Sequence, residues 1–385
     1  MDEEVLFLAL QEWLQQEQRL LLLLQRLLLA VRELFADEEL EPMQYCLLNR
    51  EQQVIRVLLG GQWDRRKHIR VSEEPFHDLL RMVSMNRRSG WEQKLRLAVF
   101  LFWLASGTSF RIVSFNFGMP RSSVHRMVHQ MMRQVLALSG RVICIPSNGE
   151  LEAIGAGFVR MARNDELRCV VGAIDGCHVE VIPSGPNRAD YFSRKLRYSV
   201  QFQAVCDHTG KFVDVFAGYP GSVHDSRVLR ASPLYVNALY PPQGYAILGD
   251  SGNPCIADPI AVLTPYREPV AGPIQARFNA HHRRGRNIIE RSFGMLKTRW
   301  RCIFMQRVTL RHTRVANVIG ACCIMHNICL TNGDILVGDG LVGEEENVVG
   351  MVGHHENCFN LRDNIARRMS RPDIVPGHLA DHDYL

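Results

Sequence analysis

The chain has 385 residues, 46% of them hydrophobic, enough for more than one domain with its own core. The net charge of +5 is unevenly spread: residues 1–42 hold ten acidic and three basic side chains, a balance of −7. That leaves +12 on the remainder, which points the remainder toward an acidic partner such as nucleic acid. Eleven cysteines without a C-x-x-C pair argue against a disulfide framework or a cysteine zinc site and read as reduced thiols.

Residues 5–36 read as one long helix, with Leu6, Leu10, Trp13, Leu20, Leu24, Leu27, Val31 and Leu34 spaced for one face. Its leucine content exceeds one stripe, so either protomers pair through it, as a homodimer, or it docks as an ordinary terminal helix. The leucine run is broken by Gln25 and Arg26 and is too short to span a membrane. Asp2, Glu3 and Glu4 are unlike the positive start of a secretory leader, so the chain reads as cytosolic or nuclear. Glu41-Pro42 ends the helix and bounds a first segment, 1–42.

Segment 43–150 carries helix signals throughout. The cluster Arg65-Arg66-Lys67-His68 reads as a solvated loop, with DNA contact or nuclear import as alternatives. Within 91–139, an apolar helix Glu92–Ser106 is stopped by Gly107, and Ser109–Phe117 is a short helix stopped by Gly118. Met119-Pro120 turns the chain into a third helix, Arg121–Leu138. This is the layout of a helix-turn-helix, and Arg121, Ser122, Ser123 and Arg126 stand where a recognition helix meets bases and phosphates.

From residue 168 the pattern turns to strands. Arg168–Ile174 is an apolar run ending at Asp175, continued by Val179–Ile182. Leu196–Cys206 and Lys211–Ala217 form a hairpin about Asp207-His208-Thr209-Gly210. Ser222 and Asp225 are spaced as a capping box for a helix to Arg230. Tyr245–Leu248 is a buried strand leading to Gly249-Asp250, Gly285–Arg301 is a helix carrying Glu290, and Thr313–Leu330 is a last apolar helix. The expected divisions are a catalytic segment at 151–335 and an acidic loop with a flexible tail at 336–385.

Hydrolysis of a phosphodiester needs an activated water and a stabilised leaving oxygen, and two divalent ions about 4 Å apart supply both. Magnesium takes oxygen ligands, so the carriers must be carboxylates presented by a rigid frame. Asp175 and Asp250 at strand ends and Glu290 on a covering helix meet that need. Asp225 is a rival for the second ligand, ranked lower because a helix-start carboxylate is explained by capping. Arg286, Glu290 and Lys297 share one helix face, a carboxylate between two cations, as expected where metal and phosphate meet.

These motifs resemble the PIF/Harbinger transposases and the nuclease derived from them. The resembling residues are Ala173-Ile174-Asp175-Gly176-Cys177-His178-Val179, Tyr191-Phe192-Ser193-Arg194-Lys195 and Pro220-Gly221-Ser222-Val223-His224-Asp225-Ser226. Leu248-Gly249-Asp250-Ser251-Gly252, Ile289-Glu290-Arg291-Ser292-Phe293-Gly294-Met295-Leu296-Lys297 and Met325-His326-Asn327 follow in the same order. The resemblance implies an α/β catalytic domain with a ribonuclease-H-like mixed sheet flanked by helices, preceded by an all-α region with the helix-turn-helix. It implies Asp175, Asp250 and Glu290 as a DDE triad holding two Mg²⁺ or Mn²⁺ ions. Arg194, Lys195, Arg286 and Lys297 would touch DNA, with Asp225 and His178 beside the site. Related insertion-sequence transposases carry a tyrosine where this chain has Arg283, a departure that bears on phosphate handling. The resemblance also implies double-stranded DNA as substrate and a Myb/SANT-like partner. The activity expected is cutting and joining at transposon ends, with a domesticated, non-cutting adaptor as the alternative.

Overall fold

Apolar periodicity dictates the helices that come first in the computed structural model, which describes residues 52–59, 64–83, 91–183, 186–300, 304, 312–336 and 356–370, with 13, 15–20, 23 and 24. The expected helix over 5–36 lies mostly outside the described residues; 15–20 are helical. Helices α1 (Gln53–Leu59), α2 (Arg66–Ile69), α3 (Glu73–Met82), α4 (Gln93–Ser106), α5 (Phe110–Phe117), α6 (Arg121–Leu136), α7 (Ser139–Val142) and α8 (Leu151–Ala162) precede the sheet. Every residue of α4 from Leu95 to Leu101 is buried, as a helix apolar on nearly all sides requires, and the one charged member, Arg96, donates to Gln130 at 2.7 Å. Gly107 and Gly118, both at φ 59°, end α4 and α5 in the left-handed conformation that closes helices. The Arg65 cluster is helical rather than a loop, and Arg66, Lys67 and His68 are exposed as expected whereas Arg65 is not. Arg65 is buried, lies over the Phe76 ring at 5.4 Å and pairs with Glu73 at 3.7 Å, while Arg66 opens α2.

The sheet has five strands, β1 (Val170–Glu180), β2 (Ser199–Cys206), β3 (Phe212–Pro220), β4 (Ala246–Leu248) and β5 (Val262–Leu263), in the order β3-β2-β1-β4-β5. β1, β2 and β3 pair antiparallel, whereas β4 and β5 run parallel to β1. This is the mixed sheet flanked by helices that a ribonuclease-H-like domain requires. All of β2 is buried, because helices cover both faces of its strand position. β1 does not stop at Asp175 as expected. Gly176 to Glu180 continue the ladder with β2, so Asp175 sits in mid-strand, opposite Ala204.

Helix α9 (Asp225–Ala231) and the short α10 (Pro233–Val236) link β3 to β4. Helix α11 (Pro273–Arg299) runs 27 residues, about 40 Å at 1.5 Å per residue, and starts well before the expected Gly285. Its buried stripe, Phe278, His282, Gly285, Ile289, Phe293 and Leu296, lies on the sheet. A Cβ on Gly285 would stand 2.8 Å from Leu248 Cδ1, so glycine is what lets α11 approach β4. Helix α12 (His312–Thr331) is long and apolar enough by composition to cross a membrane, yet 67% of that window is buried in the protein. Its Asn327 accepts from Phe212 N (2.8 Å) and donates to Phe212 O (2.7 Å) and Val142 O (2.9 Å), clasping β3. His326 Nε2 lies 3.0 Å from Gly210 O at the hairpin turn. The Met325-His326-Asn327 motif is therefore structural. Within the stretch expected as loop and tail, helix α13 (Glu356–Met369) packs on α11, with Tyr266 donating to Asp363 at 2.5 Å. A buried pair, Arg299 and Asp334 (3.3 Å), joins the end of α11 to the first helices, since Arg299 also donates to Arg70 O and Asp334 accepts from Ser72 N at 2.8 Å.

Candidate active site

Strand register brings the first two carboxylates level. Ala173 of β1 pairs with Leu248 of β4 in the parallel ladder, and Asp175 and Asp250 each lie two residues further on. Asp250 follows the end of β4, where its Oδ1 accepts from Gly252 N (3.1 Å), Asn253 N (3.1 Å) and Asn253 Nδ2 (2.6 Å). The turn thus fixes one oxygen of Asp250.

Asp225 does not cap its helix. The N-cap is His224, whose side chain makes no capping bond, and Ser222 Oγ donates instead to Asp190 O at 2.6 Å. The Asp225 carboxylate turns onto the sheet, where Oδ1 accepts from Gln201 of β2. It occupies room left by two glycines beside the other aspartates. A Cβ on Gly176 would stand 2.6 Å from Asp225 Oδ1, and one on Gly252 would stand 3.4 Å from Asp225 Oδ2 and 3.2 Å from Asp250 Oδ2. Three aspartates from distant chain segments therefore meet at one corner of the sheet.

Helix α11 delivers the fourth carboxylate with a cation one turn before it. Arg286 donates to Asp175 Oδ2 at 3.5 Å and to Glu290 Oε1, linking β1 to α11. The side chains of Asp175, Arg286 and Glu290 are 19%, 18% and 34% exposed, so the pairing sits in a partly dry cleft. Burial, then the charge of Asp250, pushes the Asp175 carboxyl up to about 7, with Arg286 opposing. Burial and Asp250 likewise raise Asp225 to about 6, with Gln201 and Arg194 opposing.

Basic side chains border this corner. Burial, Lys195 and Lys297 hold His178 at about 4, so its imidazole is neutral, and its Nδ1 lies 3.0 Å from Ser199 Oγ. Arg194 and Lys195 are exposed, and Lys297 is half-buried on α11 beyond Glu290. Arg283 is exposed one turn before Arg286. Arg121, Ser122, Ser123 and Arg126 lie on α6, which packs on α4, α5 and α12; Arg121, Ser122 and Arg126 are exposed. Sequence reasoning explained Asp225 as a cap beside the site, because its helix-start position fits one; the structure keeps it beside the site and gives its carboxylate Gln201 as partner instead. The glycines at 176 and 252 were the signal that another group leans in.

The donor set suits a hard divalent cation: four carboxylates, two of them raised by burial and mutual repulsion that a cation would relieve. As placed, no three His, Cys, Asp or Glu side chains among the described residues converge on a single ion position, and Arg286 serves as the counter-charge of Asp175 and Glu290.

Residues 174–327 match the family model of the DDE superfamily endonucleases, whose members use divalent metals. The ALP1-like protein of Arabidopsis thaliana is 28% identical over 66% of this chain and 64% of its own length. The human protein HARBI1, named as a candidate nuclease, is 28% identical over 56% of this chain and 61% of its own. The chain thus spans less than two thirds of either of these relatives. A second Arabidopsis protein, antagonist of like heterochromatin protein 1, is 25% identical over 69% of the chain. No solved structure matches. The matched span contains all four carboxylates and the sheet from Ile174 of β1 onward, so residues 174–327 are similar to the DDE superfamily endonucleases, and the chain is similar to HARBI1 and to the ALP1-like protein.

Proposed function

We propose that the chain is a divalent-metal-dependent DNA endonuclease of the transposase kind, cutting and joining phosphodiester bonds at transposon ends. The observation that carries this reading is the meeting of Asp175, Asp225 and Asp250 at one sheet corner, with Glu290 linked to Asp175 through Arg286. Asp175, Asp250 and Glu290 hold two Mg²⁺ or Mn²⁺ ions in this reading, and Asp225 is the fourth carboxylate of the set. When bound, such ions activate the attacking water or 3′-hydroxyl and stabilise the leaving oxygen. The chain's own residues set the frame. Asn253 and two backbone amides orient Asp250, Gln201 orients Asp225, and Arg286 orients Glu290. Arg194, Lys195 and Lys297 hold backbone phosphates beside the carboxylates. Helices α5 and α6, joined by the Gly118–Pro120 turn, act as the helix-turn-helix, with Arg121, Ser122, Ser123 and Arg126 toward DNA. A Myb/SANT-like partner, a homodimer and residence in the nucleus with a cytoplasmic pool complete the reading.

The test is cleavage of a duplex with Mg²⁺ or Mn²⁺, comparing the wild type with Asp175→Asn, Asp250→Asn and Glu290→Gln, with duplex binding measured separately. Metal-dependent cutting lost in all three while binding persists is the expected result. One observation favours the alternative of a non-cutting DNA-binding adaptor: Arg286, not a shared metal position, links Asp175 and Glu290 as placed. A wild type that binds duplex or the partner and cuts with neither ion would make that alternative the answer.

A further inference from the structure

Two stretches of the chain contain no acidic residue at all. Residues 93–149 carry seven Lys or Arg and no Asp or Glu, and residues 291–333 again carry seven and none. Helix α6 from the first packs against α12 from the second. Where they meet, α4, α6 and α12 enclose an open notch of about 350 Å³. Its polar lining is His125, His129 and Arg133 from α6 with Arg314 and Asn317 from α12, over a floor that includes Trp103 of α4. No carboxylate lines it.

The notch is held in shape. The rings of His125 and His129 are 4.4 Å apart and both pack edge-on against Phe110, which stacks on Trp103 at 5.8 Å. Arg314 Nη1 lies 3.2 Å from His129 Nε2, so the imidazole accepts and is neutral. Burial and the charges of His125, Arg314 and Arg133 keep its pKa below the ordinary value. Arg133 and Arg314 are exposed, and neither has an ion pair among the described residues. Ser122, Arg126, His129 and Arg133 follow one another at spacings of three and four, so they form one stripe along α6. That stripe runs about 16 Å and ends in the notch. Arg126 and Arg133 on this stripe, with Arg314 across the notch and no interspersed acid, match a polyanion with repeated charges rather than a lone carboxylate.

We propose that the notch binds one phosphate of a nucleic-acid backbone, held between Arg133 and Arg314 with His129 and Asn317 as hydrogen-bonding partners. The site lies on the α6–α12 side of the helix-turn-helix, away from the residues at the start of α6, and it rests on the nuclease reading. Its role is to fix the duplex on α6 without reading sequence.

The experiment measures affinity of the full chain for a mixed-sequence duplex over a series of salt concentrations. The double variant Arg133→Gln/Arg314→Gln is expected to bind more weakly on every duplex, with the slope of log K against log salt reduced by about one. Both side chains are exposed, and a thermal melt matching the wild type verifies the fold. A His129 ring resonance that moves on duplex addition in the wild type, and not in the double variant, is the second expected readout. Wild-type duplex binding with an unchanged slope and affinity in the double variant overturns the notch alone. No duplex binding by the wild type overturns the notch and the nuclease reading together. Competition completes the set: poly-glutamate displacing the duplex at lower concentration than inorganic polyphosphate, with that order lost in the double variant, would assign the notch to an acidic protein segment instead.

Discussion

The carboxylate corner and the α6–α12 face treat charge in opposite ways. At the corner, four acidic side chains crowd a partly dry cleft, Arg286 is the cation shared by Asp175 and Glu290, and burial with repulsion raises Asp175 and Asp225. On the α6–α12 face, cations line up in stretches without a single acid and stay exposed. By itself the first surface repels a phosphodiester, and the second attracts one. An enzyme acting on DNA needs both, because affinity can come from many weak phosphate contacts whereas cutting needs counter-charge at one point. The difference teaches that binding and chemistry are built on separate elements and should separate under mutation.

The largest effect should come from the residue that most sharply divides a metal reading from a structural one. Asp225→Asn is expected to reduce cutting by more than the roughly 10–100-fold typical of outer-shell changes, while duplex affinity holds or rises as a negative charge is removed. If the side chain served only as the acceptor for Gln201, the variant would cost about 1 kcal/mol of stability and leave cutting nearly intact, which urea unfolding and a cleavage assay would distinguish.

Next comes the joint between the two regions. Asp334→Ala leaves Arg299 buried without its partner and is expected to cost about 3–5 kcal/mol in chemical unfolding. A loss well under 1 kcal/mol would mean that the helical region and the sheet domain are not coupled through this pair.

A subtler test concerns the raised carboxylates. Asp175 at about 7 and Asp225 at about 6 keep protons in the folded, metal-free chain that the unfolded chain releases near 4. The folded state then binds more protons between about pH 4 and 7, so these groups lower stability as pH rises through that window. His178, His282 and His326, each held near 4 by burial, work the other way between about pH 4 and 6.5. The informative quantity is therefore a difference: Asp175→Asn should gain on the wild type in melting temperature as pH goes from 5 to 8. Added Mg²⁺ or Mn²⁺ should raise the wild type more than the variant. A difference flat with pH would show that repulsion at the corner is relieved in some other way.

Local pattern made much of this legible. The apolar run of β1, the hairpin between β2 and β3 and the apolar helix α12 all follow from side-chain periodicity, which is a property of neighbours in sequence. The helix boundaries around 106, 109 and 117 follow from glycine and serine signals that act within one turn. Longer-range outcomes escaped. β1 runs on past Asp175 because residues 176–180 find partners on β2, and α11 begins twelve residues early because its first turns pack on the strand layer and on α13. Arg65 looked solvated because nothing in the sequence announces Phe76 and Glu73 as its partners.

By itself, then, the sequence marked β1, the β2–β3 hairpin, β4 and the core of α11 and α12 as elements, and it named Asp175, Asp250 and Glu290 as the carboxylates to watch. Only the tertiary structure decided that Asp225 turns inward instead of capping α9, since that depends on space left by Gly176 and Gly252 and on a donor from Gln201. Only the tertiary structure likewise set two acid-free stretches side by side as one basic surface. The physical reason is the same in both cases. A carboxylate's role and a cation's field are fixed by what lies within a few ångströms, and those neighbours come from chain segments tens to hundreds of residues away.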